Sequence, residues 1–218
     1  ADHLDHYGTE AKYRAAFVEH AGRAGKAVIM CGDDDGALAV LRALKTEVAR
    51  HVVVYSTQPS EDLGDLNGAA HVRIESESES TQSGTEHFIL HLPAGLVDVE
   101  ERRVPVTLTV PGIHNARNAT AALLAAVMLG VDVERAAAAA TSFLGAARRF
   151  QIRGSVNQVT VIDDYAHHPT EIAALLDAAR RRYPEAGIHV IFQPHLFSRT
   201  MFFAREFAEA LAKADDVI

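Results

Sequence analysis

Residues 163–171 read DDYAHHPTE, which places two carboxylates, a phenol and two imidazoles in six consecutive positions ahead of a proline and an acid. A helix start explains part of this pattern, since proline suits the first helical turn and Glu171 would sit near the positive end of the helix dipole. It does not explain the six residues before Pro169. A carboxylate at a strand end can accept hydrogen bonds from ribose hydroxyls, and imidazoles can orient a substrate or carry a proton near neutral pH. The segment is therefore expected to be an active-site loop. A second polar cluster follows in residues 193–200, QPHLFSRT, with His195 and Arg199. Arg199 is either a surface arginine at a helix start or a planar fork for a carboxylate or phosphate, a geometry that lysine cannot reproduce.

Three further segments could contribute. PGIHNARNA, residues 111–119, puts His114, Asn115 and Asn118 at the opening of a helix. Asn caps helices well, but one cap needs only one Asn. Asn115 and Asn118 share a helical face, and an Asn amide can pair with the N6/N7 edge of adenine. Arg148-Arg149-Phe150 reads either as an exposed basic hinge or as a clamp on a phosphate being transferred. DHLDHY, residues 2–7, reads either as a helix-capping stretch or as ligands for a divalent ion through His3, His6 and the acids Asp2 and Asp5. Its spacing fits no standard zinc signature. GRAGKA, residues 22–27, lacks the Ser/Thr and the glycine spacing of a phosphate-binding loop.

Elements must hold these groups in place. Hydrophobic spacing predicts a helix over 10–24, a strand over 27–31, a helix over 37–49 and a strand over 52–55, an order that suggests a parallel α/β unit. Segments 71–74, 87–92 and 104–110 alternate or carry β-branched residues and predict a small antiparallel sheet. The tract ESESES, residues 75–80, reads as a solvated turn or strand edge. Two alanine-rich helices follow, over 115–129 and 133–142. A fresh series then begins: strands 150–153 and 159–162, helix 169–183, strand 188–192 and helix 200–213. In a right-handed β-α-β-α series the strands 159–162 and 188–192 would lie parallel, bringing both polar clusters to one carboxyl edge, where open α/β sheets bind ligands. A domain boundary is expected near Gly145.

Composition narrows the class. With 218 residues, 48% hydrophobic and 23% charged, the chain is an ordinary globular one of one large or two modest domains. The net charge of −8 argues against a broad nucleic-acid surface. No apolar run is long enough to cross a bilayer, residues 1–10 do not resemble a secretory signal, and the single Cys31 fits a reducing cytoplasm. The chain starts at Ala1, and its last residues, DDVI, read as a strand start. An internal piece of a longer protein is therefore expected.

Taken together, DHLDHY, PGIHNARNA, GAARRF, VIDDYAHHPTE and FQPHLFSRT resemble, in order, the motifs of the Mur ligase family, the last two most specifically. The resemblance implies an α/β fold: the later part of a Mur-type central ATPase domain, residues 1–144, followed by the first part of a C-terminal Rossmann-like domain, residues 145–218. It implies a carbon–nitrogen ligase of peptidoglycan precursor synthesis that phosphorylates a carboxylate with ATP and Mg2+ and then lets an amine attack the acyl phosphate. UDP-N-acetylmuramate and L-alanine are the implied substrates. His3 would bind magnesium, while Asn118 with His114 and Asn115 would hold adenine. Arg149 would reach the phosphates and Asp164 the ribose. Tyr165, His167, His168, His195 and Arg199 would shape the amino-acid side, with Arg149, His168, His195 and Arg199 counted as catalytic.

The commonest family form of the last motif is QPHRYTRT, so Leu196 and Phe197 here leave Arg199 as its cation. The family's phosphate loop is not among these residues, so the 218 residues alone are expected not to turn over. Three rivals stand beside this reading: a family member that attaches a recycled peptide, a metal-dependent hydrolase built on Asp163, Asp164, His167 and His168, and a non-catalytic nucleotide-binding module. QPHLFSRT favours addition of free alanine.

Overall fold

The computed structural model describes residues 3–45, 52–76, 85–96 and 101–218. Strands β1 (Val28–Cys31), β2 (Val52–Ser56), β3 (Ala70–Ser76), β4 (Glu86–Leu92) and β5 (Arg102–Leu108) form one five-stranded sheet in that order. β1, β2 and β3 run parallel, and β4 and β5 complete the sheet antiparallel. The expected small antiparallel sheet is therefore the far half of a single mixed sheet. Ladder bonds between β2 and β3, from Val53↔Ala70 to Ser56↔Arg73, join the two halves.

Strand β2 shows why the sheet is covered on both sides. All five of its residues are buried, as expected for a central parallel strand. Val52 and Val54 pack with Leu38, Leu41 and Leu44, whereas Val53 and Tyr55 face Leu123, Leu124 and Val127. The first group belongs to helix α3 (Asp35–Ala43) and its end, the second to helix α4 (Ile113–Met128). α1 (Leu4–Tyr7) and α2 (Glu10–Gly22) precede β1, and α5 (Val133–Ala140) packs beside α4. Full burial of a residue such as Leu124 or Phe88 contributes roughly 1.5–3 kcal/mol. Residues 46–49 of the expected second helix, residues 77–80 of the ESESES tract and Asp2 lie outside the described residues.

The remainder differs from expectation in pairing. β7 (Val159–Asp163) pairs antiparallel with β6 (Gln151–Val156), and β8 (His189–Val190) pairs parallel with β9 (Asp216–Val217). No ladder joins β7 to β8 among the described residues, so the expected parallel pair is not formed. The pairing that does form is local: only Asn157 and Gln158 separate β6 from β7, both with positive φ, at 49° and 65°. That is the twist of a two-residue hairpin. α6 (Pro169–Arg182) follows β7. The expected helix 200–213 is two helices, α7 (Phe197–Phe202) and α8 (Ala204–Leu211), broken at Phe203. One apolar cluster still unites the segment: Ile172 and Leu176 of α6 meet Phe207 and Ala210 of α8, with Ala166, Ile188 and Phe192 around them. Both polar segments are thus tethered to one core without sharing a ladder.

Candidate active site

The first wall of the site is the start of α4. Gly112 precedes the helix at φ 106°, and a β-carbon there would lie 2.6 Å from the His114 ring and 3.2 Å from Ala178. Glycine is required at this approach. The helix has no side-chain cap; Asn115 Nδ2 instead donates to the Pro111 carbonyl at 2.7 Å. Asn118 is exposed one turn on, and both Asn residues face the same cavity. Burial pushes the pKa of His114 down, although Asp164 and Glu86 oppose this, so the ring is held neutral at physiological pH.

The second wall is the junction between α5 and β6. Arg148 and Phe150 both adopt positive φ, 58° and 47°, which is strained for side chains of this size. The DDYAHHPTE loop holds them there. Asp164 Oδ2 accepts the Phe150 N–H and Oδ1 accepts the Ala166 N–H, each at 2.7 Å. Tyr165 donates its N–H to the Arg148 carbonyl at 2.8 Å, and its ring lies 4.6 Å below the Arg148 guanidinium. Glu171 closes a capping box on His168 and also accepts the His167 N–H at 2.9 Å. Burial pushes the Glu171 pKa up, but the His167 N–H, the charges of His167 and Arg149 and the His168 N–H outweigh it and hold the carboxyl below its usual range. Arg149 reaches Glu171 at 3.5 Å and remains half exposed.

Between the walls lies a cavity of about 920 Å³, within the range of roughly 300–1,000 Å³ typical of small-molecule sites. Its polar rim includes His114, Asn115, Asn118, Arg149, Asp164 and Glu171; apolar side chains such as Ala119, Leu123, Ala136 and Phe143 line the rest. The structure therefore brings together all five residues expected on the nucleotide side. An apolar slot with amide and carboxylate groups at its edge suits a planar heterocycle with an attached sugar, and Arg149 suits an anion beside it.

The amino-acid set is looser. Tyr165 and His167 stack edge to face at 5.1 Å, and His168 meets Phe203 at 4.9 Å. Phe203 donates its N–H to the carbonyl of Arg199, a buried residue of α7, while His195 is exposed before that helix. Tyr165, His167 and His168 of the loop, together with His195 and Arg199, do not line the cavity. His3 is exposed at φ 55° ahead of α1 and also lies off the cavity wall. Among the described residues no three His, Cys, Asp or Glu side chains converge as metal ligands. The hydrolase reading needed such a convergence at 163–168, where Asp164 is instead engaged by backbone N–H groups.

Two polar groups outside the sequence motifs are also built into the fold. Asp33, on the loop after β1, binds the Thr57 N–H and hydroxyl and receives Arg117 Nε of α4 at 2.6 Å. Glu86 is wholly buried at the start of β4. Asp33 opens a run of three aspartates and Glu86 stands alone between Thr85 and His87, and only long-range pairing distinguishes either one.

Comparison with known proteins covers the whole chain. Residues 1–126 match the Mur ligase middle domain and residues 148–218 the Mur ligase glutamate ligase domain. The chain is 75% identical over 218 residues to UDP-N-acetylmuramate–L-alanine ligase of Bifidobacterium adolescentis, covering all of this chain and 42% of that protein. Its fold is similar to the crystal structure of UDP-N-acetylmuramate–alanine ligase from Thermotoga maritima, with TM-score 0.59 and 25% identity over 100% of this chain and 43% of that one. It is also similar to a murein peptide ligase from Psychrobacter arcticus, with TM-score 0.52 and 26% identity over 79% and 38% of the two chains. The chain spans about two fifths of the length of the curated relatives it matches.

Proposed function

The chain belongs to the Mur ligase family, and on that premise we propose that the complete protein is an ATP-dependent ligase joining L-alanine to UDP-N-acetylmuramate. One observation carries the nucleotide half of this reading: His114, Asn115, Asn118, Arg149 and Asp164, drawn from two segments, line one cavity. The 75% identity to a ligase of that name supports the substrates. The proposed domains are residues 1–144 and 145–218, with the cavity between them and the site of work in the cytoplasm.

In the proposed mechanism the muramate carboxylate takes the γ-phosphoryl group, and the amine of alanine attacks the acyl carbon. The first step breaks the P–O bond to the β-phosphate, and ADP leaves. In the second the C–N bond forms, the amine gives up a proton to solvent, the C–O bond to phosphate breaks, and phosphate leaves. Asn118 pairs with the adenine edge, with Asn115 held beside it by the Pro111 carbonyl. Asp164 retains lone pairs for ribose hydroxyls beyond its two backbone bonds. Arg149, already partnered loosely by Glu171, offers its guanidinium to phosphate oxygens. His167, His168, His195 and Arg199 form the amino-acid side, and buried Arg199 suits a carboxylate better than a solvated cation would. Magnesium is part of the proposal, with His3 as one ligand; this ion commonly completes its shell with water and phosphate oxygens. The 218 residues contain no glycine-rich loop ending in Lys-Ser/Thr, so turnover by them alone is not expected.

Replacing Arg149 with Ala tests the placement of the phosphates. Affinity of the chain for ATP should fall about tenfold while affinity for adenosine is unchanged, a tenfold loss being about 1.4 kcal/mol. Equal effects on both ligands would remove Arg149 from the phosphate side.

A further inference from the structure

The start of α4 and the second domain meet at one carboxylate. Glu86 is fully buried. Its Oε2 accepts the Gly112 N–H at 2.9 Å, and its Oε1 accepts the Ser76 hydroxyl at 3.3 Å. The third partner comes from α6: Arg181 Nη2 lies 3.3 Å and 3.5 Å from the two oxygens. α6 also comes close at this point: a β-carbon on Gly112 would lie 3.2 Å from the Ala178 β-carbon, one turn before Arg181.

We propose that Glu86 and Arg181 are positioning residues for nucleotide binding: they hold the His114-Asn115-Asn118 segment at a fixed distance from Arg149 and Asp164. This rests on the nucleotide reading of the cavity. A carboxylate removed from water must be matched by donors, and Glu86 draws its donors from three separate elements. Gly112 N–H fixes where α4 begins, and two residues later His114 reaches the cavity. Arg181 ties that starting point to the helix whose first turn carries Thr170 and Glu171 on the opposite wall. Neither Glu86 nor Arg181 lines the cavity, so neither contacts the bound molecule. Their effect runs through geometry, and a displacement of about an ångström is enough to weaken an oriented site substantially.

The test uses the 218-residue chain and the variants Arg181→Gln and Glu86→Gln, read by ADP titration and by amide hydrogen exchange. Arg181 is partly exposed, so its variant should fold even if the Glu86 variant does not. Arg181→Gln should weaken ADP binding at least fivefold and speed exchange at Gly112 and residues 113–118 about tenfold, leaving β4 and β5 unchanged. Glu86→Gln should do the same, and the double variant should be no worse than either single one. Wild-type exchange at 112–118 in a folded Arg181→Gln chain would overturn the positioning claim, whether or not ADP binds. Accelerated exchange in a chain whose wild type binds no ADP would uphold the coupling and defeat the nucleotide reading instead.

Discussion

Asp164 accepts the backbone N–H of Phe150 at 2.7 Å and so holds a bulky residue at a φ of 47°. The same carboxylate faces the cavity. One side chain therefore maintains the shape of the junction and offers acceptors to a ligand. Charge-assisted bonds of this kind contribute roughly 1.5–3 kcal/mol each. Asp164→Ala should lower unfolding free energy by about 2–4 kcal/mol in a urea titration and reduce ADP affinity at least tenfold. Asp164→Asn keeps only one accepting oxygen and should fall between. A stable Asp164→Ala chain would show that the junction does not depend on this acid.

Asn118 separates binding from stability more cleanly. It is exposed and, among the described residues, its amide has no hydrogen-bond partner. Surface substitutions of this kind usually change stability by no more than about 0.5 kcal/mol. A bidentate amide–adenine pair distinguishes bases by roughly 1–3 kcal/mol. Asn118→Ala should therefore leave the urea midpoint unchanged and weaken ADP binding about tenfold in calorimetry. Undiminished binding would move adenine elsewhere in the cavity.

The histidine beside it makes stability depend on pH. His114 has a pKa below its usual value of about 6.5 because of burial, so the unfolded chain takes up the proton first as pH falls. Its stabilising contribution is complete above about pH 6.5 and is lost on acidification through the window below that value, with a slope of at most about 1.4 kcal/mol per pH unit. His71, half-buried, shifts in the same direction, again through desolvation. Unfolding free energy measured from pH 7 to pH 5.5 should fall less steeply in His114→Gln than in the wild type. Parallel curves would exclude His114 as a source of the acid sensitivity.

What could be read from the sequence divides along physical lines. Helices such as 169–182 and the buried strand 52–56 announce themselves through local spacing, and DDYAHHPTE through its density of functional groups. Strand partners are not local. The pairing of β7 with β6 had a local signal in the two-residue Asn157-Gln158 connection, but β-α-β logic pointed to β8 instead. The break at Phe203 has no glycine or proline to mark it. Asn115 has the residue type of a cap, but its amide donates to the Pro111 carbonyl instead. Glu86, with partners at Ser76, Gly112 and Arg181, could not have been singled out before the chain was folded.

The reaction itself is tested most directly by ADP release from the complete ligase, supplied with ATP, Mg2+ and UDP-N-acetylmuramate and with either free L-alanine or an alanine-terminated tripeptide. Release that depends on free L-alanine, with little from the tripeptide, is the expected result. Release with the tripeptide alone, or with neither, would contradict the proposed function.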